Sequence, residues 1–225
     1  MTIVSLKTEN ADGLFTKGDH FNKNELSRIE LSDGSLFSFK ICYLPPEFLN
    51  SHLANQNEAE GKEISAAEEA AYRYASACLR AEKASLRLIA RAEQCSAGLS
   101  RKLQKRGHEA ACINAVISRL SELKLIDDLR FARLWLESRL HLTRSPRRLS
   151  AGLCVRGIDR GDAGAALKAV LDEEAELTLL TRFVKKYARK NCRRSEGGDV
   201  TCSLKYLLKS EGFSPPAIER FMDGE

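Results

Sequence analysis

The chain has 225 residues, of which 43% are hydrophobic and 30% charged, and a formal net charge of +5. The hydrophobic share is ordinary for a soluble protein and the charged share high, a combination that suits thin helical modules with much exposed surface better than one thick core. No stretch approaches the roughly 20 consecutive apolar residues of a membrane span, and MTIVSLKTENADG lacks the charged segment, apolar run and cleavage site of a secretion signal.

Residues 1–50 do not read as helix. The run Arg28-Ile29-Glu30-Leu31 alternates, Ser32-Asp33-Gly34-Ser35 supplies turn chemistry, and residues 36–43 follow as an apolar-rich strand. Asp-Gly between alternating segments is a hairpin signal. Residues 2–7 and 14–16, around the turn Asn10-Ala11-Asp12-Gly13, are candidates for further strands. Pro45-Pro46 closes this small antiparallel β element, and the polar residues 51–63 read as a loop or linker.

From Ile64 a helical period begins, through Ala67, Ala71, Tyr74, Ala75 and Cys78 to Leu86, Ile89 and Ala90, as one long helix or two in series. Ser96 is a candidate N-cap for a helix that carries Leu99 and Leu103 and stops at Gly107. A further helix is predicted over 109–123. Asp127-Asp128 opens the next unit as a cap, with Phe131, Leu134, Trp135, Ser138 and Leu142 on its buried face. Ser145 as N-cap and Pro146 at the first helical position start another helix, which ends at Gly157. Asp162 or a near neighbour begins the last helix of that unit. Helices over 174–190, up to Gly212, and from Ser214-Pro215-Pro216 complete the pattern, with a loop at 195–199.

The pattern is an internal repeat. Gly107, Gly157 and Gly212 are each preceded by leucines four and eight positions earlier: Leu103 and Leu99, Leu153 and Leu149, Leu208 and Leu204. Apolar residues at helical spacing follow each glycine, and the glycines lie 50 and 55 residues apart. One helical module written three times predicts nine helices in three sets of three, and a binding surface rather than a catalytic pocket. The division expected is 1–50 (β-rich), 51–63 (linker), then repeats over 64–125, 126–173 and 174–225.

Charge is unevenly spread. Residues 1–63 carry a net −4, residues 64–120 a net +5, residues 121–160 a net +4, and residues 161–225 none. The excess positive charge of the first two repeats can attract nucleic acid or an acidic protein groove, or can simply be a solvated helical face. Arg101, Lys102, Lys105 and Arg106 fill the polar positions around Leu103. Arg144, Arg147, Arg148 and Arg156 flank the proline-started helix, and cations at a helix N-terminus such as Arg147 and Arg148 oppose its dipole. A fold optimised for stability alone would place acids there, so these two point to binding. The run from Lys185-Lys186 to Arg193-Arg194 ends a helix, where cations suit the dipole.

Catalytic chemistry is not indicated. The four histidines (His20, His52, His108, His141) read as loop or helix-end residues, and no HExxH, GxSxG, Walker-type or GxGxxG motif occurs. Adjacent helical residues such as Asp127 and Asp128 point about 100° apart and do not form a metal pair. The seven cysteines are scattered with no CxxC, so Cys95 and Cys154 read as packed thiols in a reducing, cytoplasmic protein without disulfides or zinc. Aromatic residues that could stack with bases are nearly absent from the basic stretches. Trp135, the single tryptophan, reads as core. No catalytic residue, cofactor or metal is expected.

The segment Leu125-Ile126-Asp127-Asp128-Leu129-Arg130-Phe131-Ala132, then Ser145-Pro146-Arg147-Arg148-Leu149, then Val155-Arg156-Gly157-Ile158, resembles the signature of the RecX family. Leu86 to Arg91, and Leu99 to Leu103 with Gly107, are similar to that family's first repeat. The resemblance covers about residues 70 to 225, is densest from 84 to 158, and is weak in the last repeat. It implies a mainly α fold of three tandem three-helix repeats in an elongated curved array. It also implies a non-enzymatic monomer whose partner is RecA, bound in the groove of the RecA–DNA filament, with inhibition of RecA's ATP hydrolysis, strand exchange and coprotease activity in DNA repair. Arg101, Lys102, Lys105, Arg106, Arg130, Arg144, Arg147, Arg148 and Arg156 are the candidate RecA- or DNA-contacting residues. Weak non-specific DNA binding goes with that role, and an independent helix-turn-helix-like DNA-binding protein is the alternative. Two positions depart from the family pattern: Ser145 replaces a glycine, and Gly152 replaces an acid within the following helix, where glycine costs about 1 kcal/mol relative to alanine.

Overall fold

A computed structural model describes residues 1–9, 25–55, 60–191 and 200–224. The candidate strand over 14–16, its turn at 10–13 and the loop at 195–199 lie outside the described residues. Three strands and ten α-helices are described, in two compact units: Met1–Ala92 with Leu99–Leu125, and Glu93–Gly98 with Ile126–Glu225.

In the first unit, β1 (Ile3–Glu9), β2 (Leu26–Leu31) and β3 (Leu36–Lys40) form an antiparallel sheet in that order. The pairings Leu6↔Ile29 and Ile29↔Phe37 set the register. At the β2–β3 turn the Asp33 carboxylate accepts hydrogen bonds from the Ser35 N–H (2.9 Å) and hydroxyl (2.8 Å). The period of two turns Ile29, Leu31, Phe37 and Phe39 to one buried face. Residues 41–43, expected as strand, instead form a 3-10 turn.

Helix α1 (Pro46–Asn55) occupies residues expected to be non-helical. Pro46 sits in its first turn, where a missing N–H costs nothing, so the second proline starts a helix rather than closing the β segment. His52, expected in a loop or at a helix end, lies in the last turn of this helix and is fully buried, its Nε2 3.1 Å from the Ser27 hydroxyl. Burial lowers its pKa from the ordinary 6.5 to about 4, so the ring is neutral near pH 7. Residues 61–64 are not a free linker either. They pair with the first strand through Ile3 N to Lys62 O (2.9 Å) and Ile64 N to Met1 O (2.8 Å).

Helix α2 (Ala66–Ile89) is one continuous helix of 24 residues, opened by a reciprocal capping box between Ser65 and Glu68. Its buried stripe passes through Ala71, Tyr72, Ala75, Cys78 and Leu79, then through Glu82 and Ser85, leaving Leu86 exposed. The hydrophobic reading placed Leu86 inside. The buried Glu82 carboxylate is instead matched by Lys40 Nζ at 2.7 Å, which lets a charge occupy the inner face. Tyr72 stacks on Phe39 (centroids 5.3 Å), joining helix to sheet. Leu99 and Leu103 of α3 (Ser96–Gln104), and Cys112, Ile113, Val116 and Leu120 of α4 (Ala110–Glu122), complete the buried set.

In the second unit, α5 (Asp128–Glu137), α6 (Pro146–Cys154) and α7 (Arg160–Val170) share one core with α8 (Glu173–Asn191), α9 (Val200–Ser210) and α10 (Pro215–Asp223). Leu149, Leu153, Ala163 and Ala166 pack in the same cluster as Leu179, Leu180, Leu208, Phe213 and Ile218. The buried face of α5 is Ala132, Trp135 and Leu136, whereas Leu134 and Leu142, expected inside, are exposed. Helices α2 to α10 are the nine expected, and α1 is a further helix. The repeat glycines Gly107, Gly157 and Gly212 have φ of +81°, +91° and +86°, the left-handed conformation that terminates a helix.

Candidate functional site

The predicted basic residues divide between the two units. Arg101, Lys102, Lys105 and Arg106 are exposed on α3 and the turn leading to Gly107. Among the described residues, Lys105 and Arg106 have no carboxylate partner.

In the second unit, carboxylates distant in the chain hold the serines at the starts of α3, α6 and α10, whereas Asp127 caps α5 as the sequence predicts. Asp127 caps α5, accepting from the Arg130 N–H at 2.9 Å. Its neighbour Asp128 caps another helix: it accepts from the Ser96 N–H (2.7 Å) and hydroxyl (3.1 Å) at the start of α3. Ser96 is therefore the first helical residue and is itself held by an acid. Ser145 stands at the N-cap position of α6 but caps nothing, because its hydroxyl donates to the Glu211 carboxylate. At the start of α10, the Ser214 N–H and hydroxyl both bind Glu176 at 2.7 Å.

Glu211 explains why α6 tolerates Arg147 and Arg148 in its first turn. The Glu211 carbonyl accepts the Arg147 N–H (2.9 Å), one of the donors a helix start leaves unsatisfied. Its carboxylate lies beside that N-terminus, 3.9 Å from Arg148 Nε, and so supplies the negative charge the sequence lacks there. The Arg147 guanidinium donates to the Ser210 carbonyl at 3.3 Å, yet both arginine side chains stand at the surface. Arg130 is paired with Glu93 (2.7 Å).

Two arginines, Arg139 and Arg156, lie against Trp135, which is only 6% exposed, while Arg144 is exposed. The Arg139 and Arg156 guanidinium carbons lie 4.3 and 4.5 Å from the Trp135 ring centroid, within cation–π range. Arg156 Nη1 donates to the Gly152 carbonyl (2.8 Å), and Arg139 Nη1 donates to the Ser138 hydroxyl (2.6 Å). Burial first, and then the charges of Arg156 and Arg144, push the Arg139 pKa down. Gly152 belongs to this arrangement: a Cβ there would stand 2.7 Å from Trp135 Cη2, so the glycine makes room for the indole. The sequence reading had Arg144 and Arg156 but missed Arg139. Its place four residues after Trp135, one helical turn on, was the available signal.

The first unit contains a cavity of about 430 Å³ lined by Cys42, Tyr43, Leu49, Arg119 and Glu122, among others. Burial pushes the Cys42 thiol up to about 11, which keeps it protonated and unlike an activated nucleophile. Among the described residues, no group of three His, Cys, Asp or Glu side chains could hold a metal ion, and no helix is long and apolar enough to cross a membrane.

These features coincide with matches to known proteins. The description "RecX, first three-helix domain" matches residues 81–120, and "RecX, second three-helix domain" matches residues 127–167. The regulatory protein RecX of Treponema pallidum (strain Nichols) is 34% identical over 148 residues, which are 65% of this chain and 86% of that protein. That of Mycobacterium avium is 33% identical over 130 residues, 57% of this chain and 75% of the relative. A crystal structure of a regulatory protein RecX matches with a TM-score of 0.66 at 19% identity, covering 99% of this chain and 98% of the other, which speaks to the fold. The chain belongs to the RecX family of regulatory proteins.

Proposed function

We propose that this chain is a non-enzymatic, monomeric, cytoplasmic regulator that binds the RecA–DNA filament in its groove and inhibits RecA's ATPase, recombinase and coprotease activities during DNA repair. Family membership carries the choice of partner. The observation in this chain that supports it most is the placement of Arg147 and Arg148. They stand at the surface on a helix start whose charge is balanced by Glu211, so the fold accommodates cations there without needing them. Arg101, Lys102, Lys105 and Arg106 are proposed to contact the same filament from the first repeat (64–125), and Arg144 and Arg156 from the second (126–173). Arg130, paired with Glu93, would act through its outer edge. The third repeat (174–225), which holds none of these candidate residues, is proposed to serve mainly as an arm or cap.

The test is ATP turnover by RecA on single-stranded DNA, with and without this protein, alongside filament co-sedimentation. Turnover should fall on addition of the protein, and the double variant Arg147→Ala, Arg148→Ala should inhibit less while keeping wild-type helicity. Unchanged turnover and no co-sedimentation at saturating protein would overturn the proposal. Tight, sequence-selective binding to bare duplex would instead favour an independent DNA-binding protein.

A further inference from the structure

We propose that Glu211, in the turn between α9 and α10, is a positioning residue that aims Arg147 and Arg148 at their partner. The inference rests on the filament-binding reading of that arginine pair, and it gives the third repeat a part in binding beyond that of an arm or cap.

Contacts from this one turn converge on the start of α6. The Glu211 carbonyl accepts the Arg147 N–H at 2.9 Å, and the Ser210 carbonyl accepts from Arg147 Nη1 at 3.3 Å. The Glu211 carboxylate accepts the Ser145 hydroxyl and lies 3.9 Å from Arg148 Nε. Gly212 completes the seat: a Cβ there would stand 3.3 Å from the Arg147 nitrogen and 3.7 Å from Pro146 Cβ, so the turn packs directly on the helix start.

The backbone bonds fix where α6 begins, and the carboxylate adds a direction to what projects from it. The Glu211 side chain is 18% exposed and tethered by Ser145, whereas that of Arg148 is 71% exposed. A withdrawn, anchored carboxylate is a fixed point for a long side chain. It approaches Arg148 at Nε, which leaves the two terminal nitrogens of the guanidinium fork to a ligand. An ion pair this exposed contributes little to folding. Its value lies in association, because ordering a rotamer-rich side chain costs affinity and a side chain already aligned has less freedom to lose. Ser145, where the family pattern has glycine, supplies the hydroxyl that makes the tether.

The assay is ATP turnover by RecA on single-stranded DNA, titrated with the full-length protein and read as the concentration giving half-maximal inhibition. Glu211→Gln keeps an oxygen to accept the Ser145 hydroxyl and removes the charge. It should raise that concentration roughly two- to ten-fold at unchanged helicity and urea midpoint. The sign is diagnostic. Loss of a negative charge beside Arg148 would by itself tighten an anionic partner, so weaker inhibition reports lost alignment. In the Arg147→Ala, Arg148→Ala background the same substitution should have no further effect. Ser145→Ala, which leaves both charges and removes the tether, should act in the same direction and likewise only when the arginines are present. Glu173→Gln breaks the exposed Arg220–Glu173 pair (3.9 Å) elsewhere in the third repeat and should leave inhibition unaltered. Independently of RecA, 15N relaxation of the Arg148 Nε–H group should show restricted motion in the wild type and faster motion in Glu211→Gln. Inhibition by Glu211→Gln equal to or stronger than that of the wild type, or a loss that persists in the double-variant background, would overturn the proposal. Arg148 motion released by Glu211→Gln in a protein that does not inhibit RecA at all would count against the filament reading and leave the positioning by Glu211 standing.

Discussion

Replacing the glycines that end the repeated helices should have unequal consequences, although the repeat makes them equivalent. At Gly107 the φ of +81° is the only obstacle, because a Cβ there would meet nothing within 4 Å. The left-handed conformation costs an L-residue roughly 1–2 kcal/mol, so Gly107→Ala should destabilise by about that amount. At Gly157 the φ is +91° and an added Cβ would stand 2.3 Å from the Ala97 Cβ. Two methyl carbons need about 3.5–4.0 Å, and Ala97 has no rotamer with which to retreat, so backbone must move. Overpacking of this kind adds roughly 1–3 kcal/mol, giving about 2–5 kcal/mol for Gly157→Ala. Urea unfolding followed by Trp135 emission, which reports the second unit, measures this loss, and far-UV dichroism follows Gly107→Ala. Equal losses at the two sites, or a larger loss at Gly107, would refute the argument that the close approach to Ala97 distinguishes them.

Three further outcomes follow from the packing. His52 has its pKa lowered from 6.5 to about 4 by burial, so the unfolded chain takes up the proton first as pH falls. Stability conferred by the neutral ring is complete above about pH 6.5 and should decline toward pH 4, by up to about 3 kcal/mol; His52→Gln should flatten that part of a stability–pH profile. Leu153 is fully buried in the shared core of α5–α10, so Leu153→Ala should cost about 2–5 kcal/mol in denaturant unfolding. Gly152→Ala gains about 1 kcal/mol of helix propensity yet forces Trp135 from its place, so it should be neutral or destabilising and should shift the emission maximum.

The sequence by itself determined the periodic parts of this protein. Leucines four and eight residues before a glycine can bury one helical face only by forming a helix that stops at that glycine, and local sterics give the glycine its positive φ. The hairpin turn at Asp33-Gly34 and the helix starts at Asp127 and Ser214 follow from equally local rules, and the motif around Asp127-Asp128 carried the family. Tertiary structure decided what depends on partners distant in the chain. Glu82 can be buried because Lys40, 42 residues before it, neutralises its carboxylate, while Leu86 on the same helix is exposed. Asp128 caps the helix at Ser96 rather than its own, and Glu211, 66 residues beyond Ser145, takes that serine's hydroxyl. Arg156, on the turn after α6, reaches Trp135 of α5 only in the folded chain, where Gly152 leaves space for the indole. Helical periodicity specifies which faces are apolar, and hydrogen-bond and charge balance across the fold then decide which polar groups are used in holding it together and which remain for a ligand.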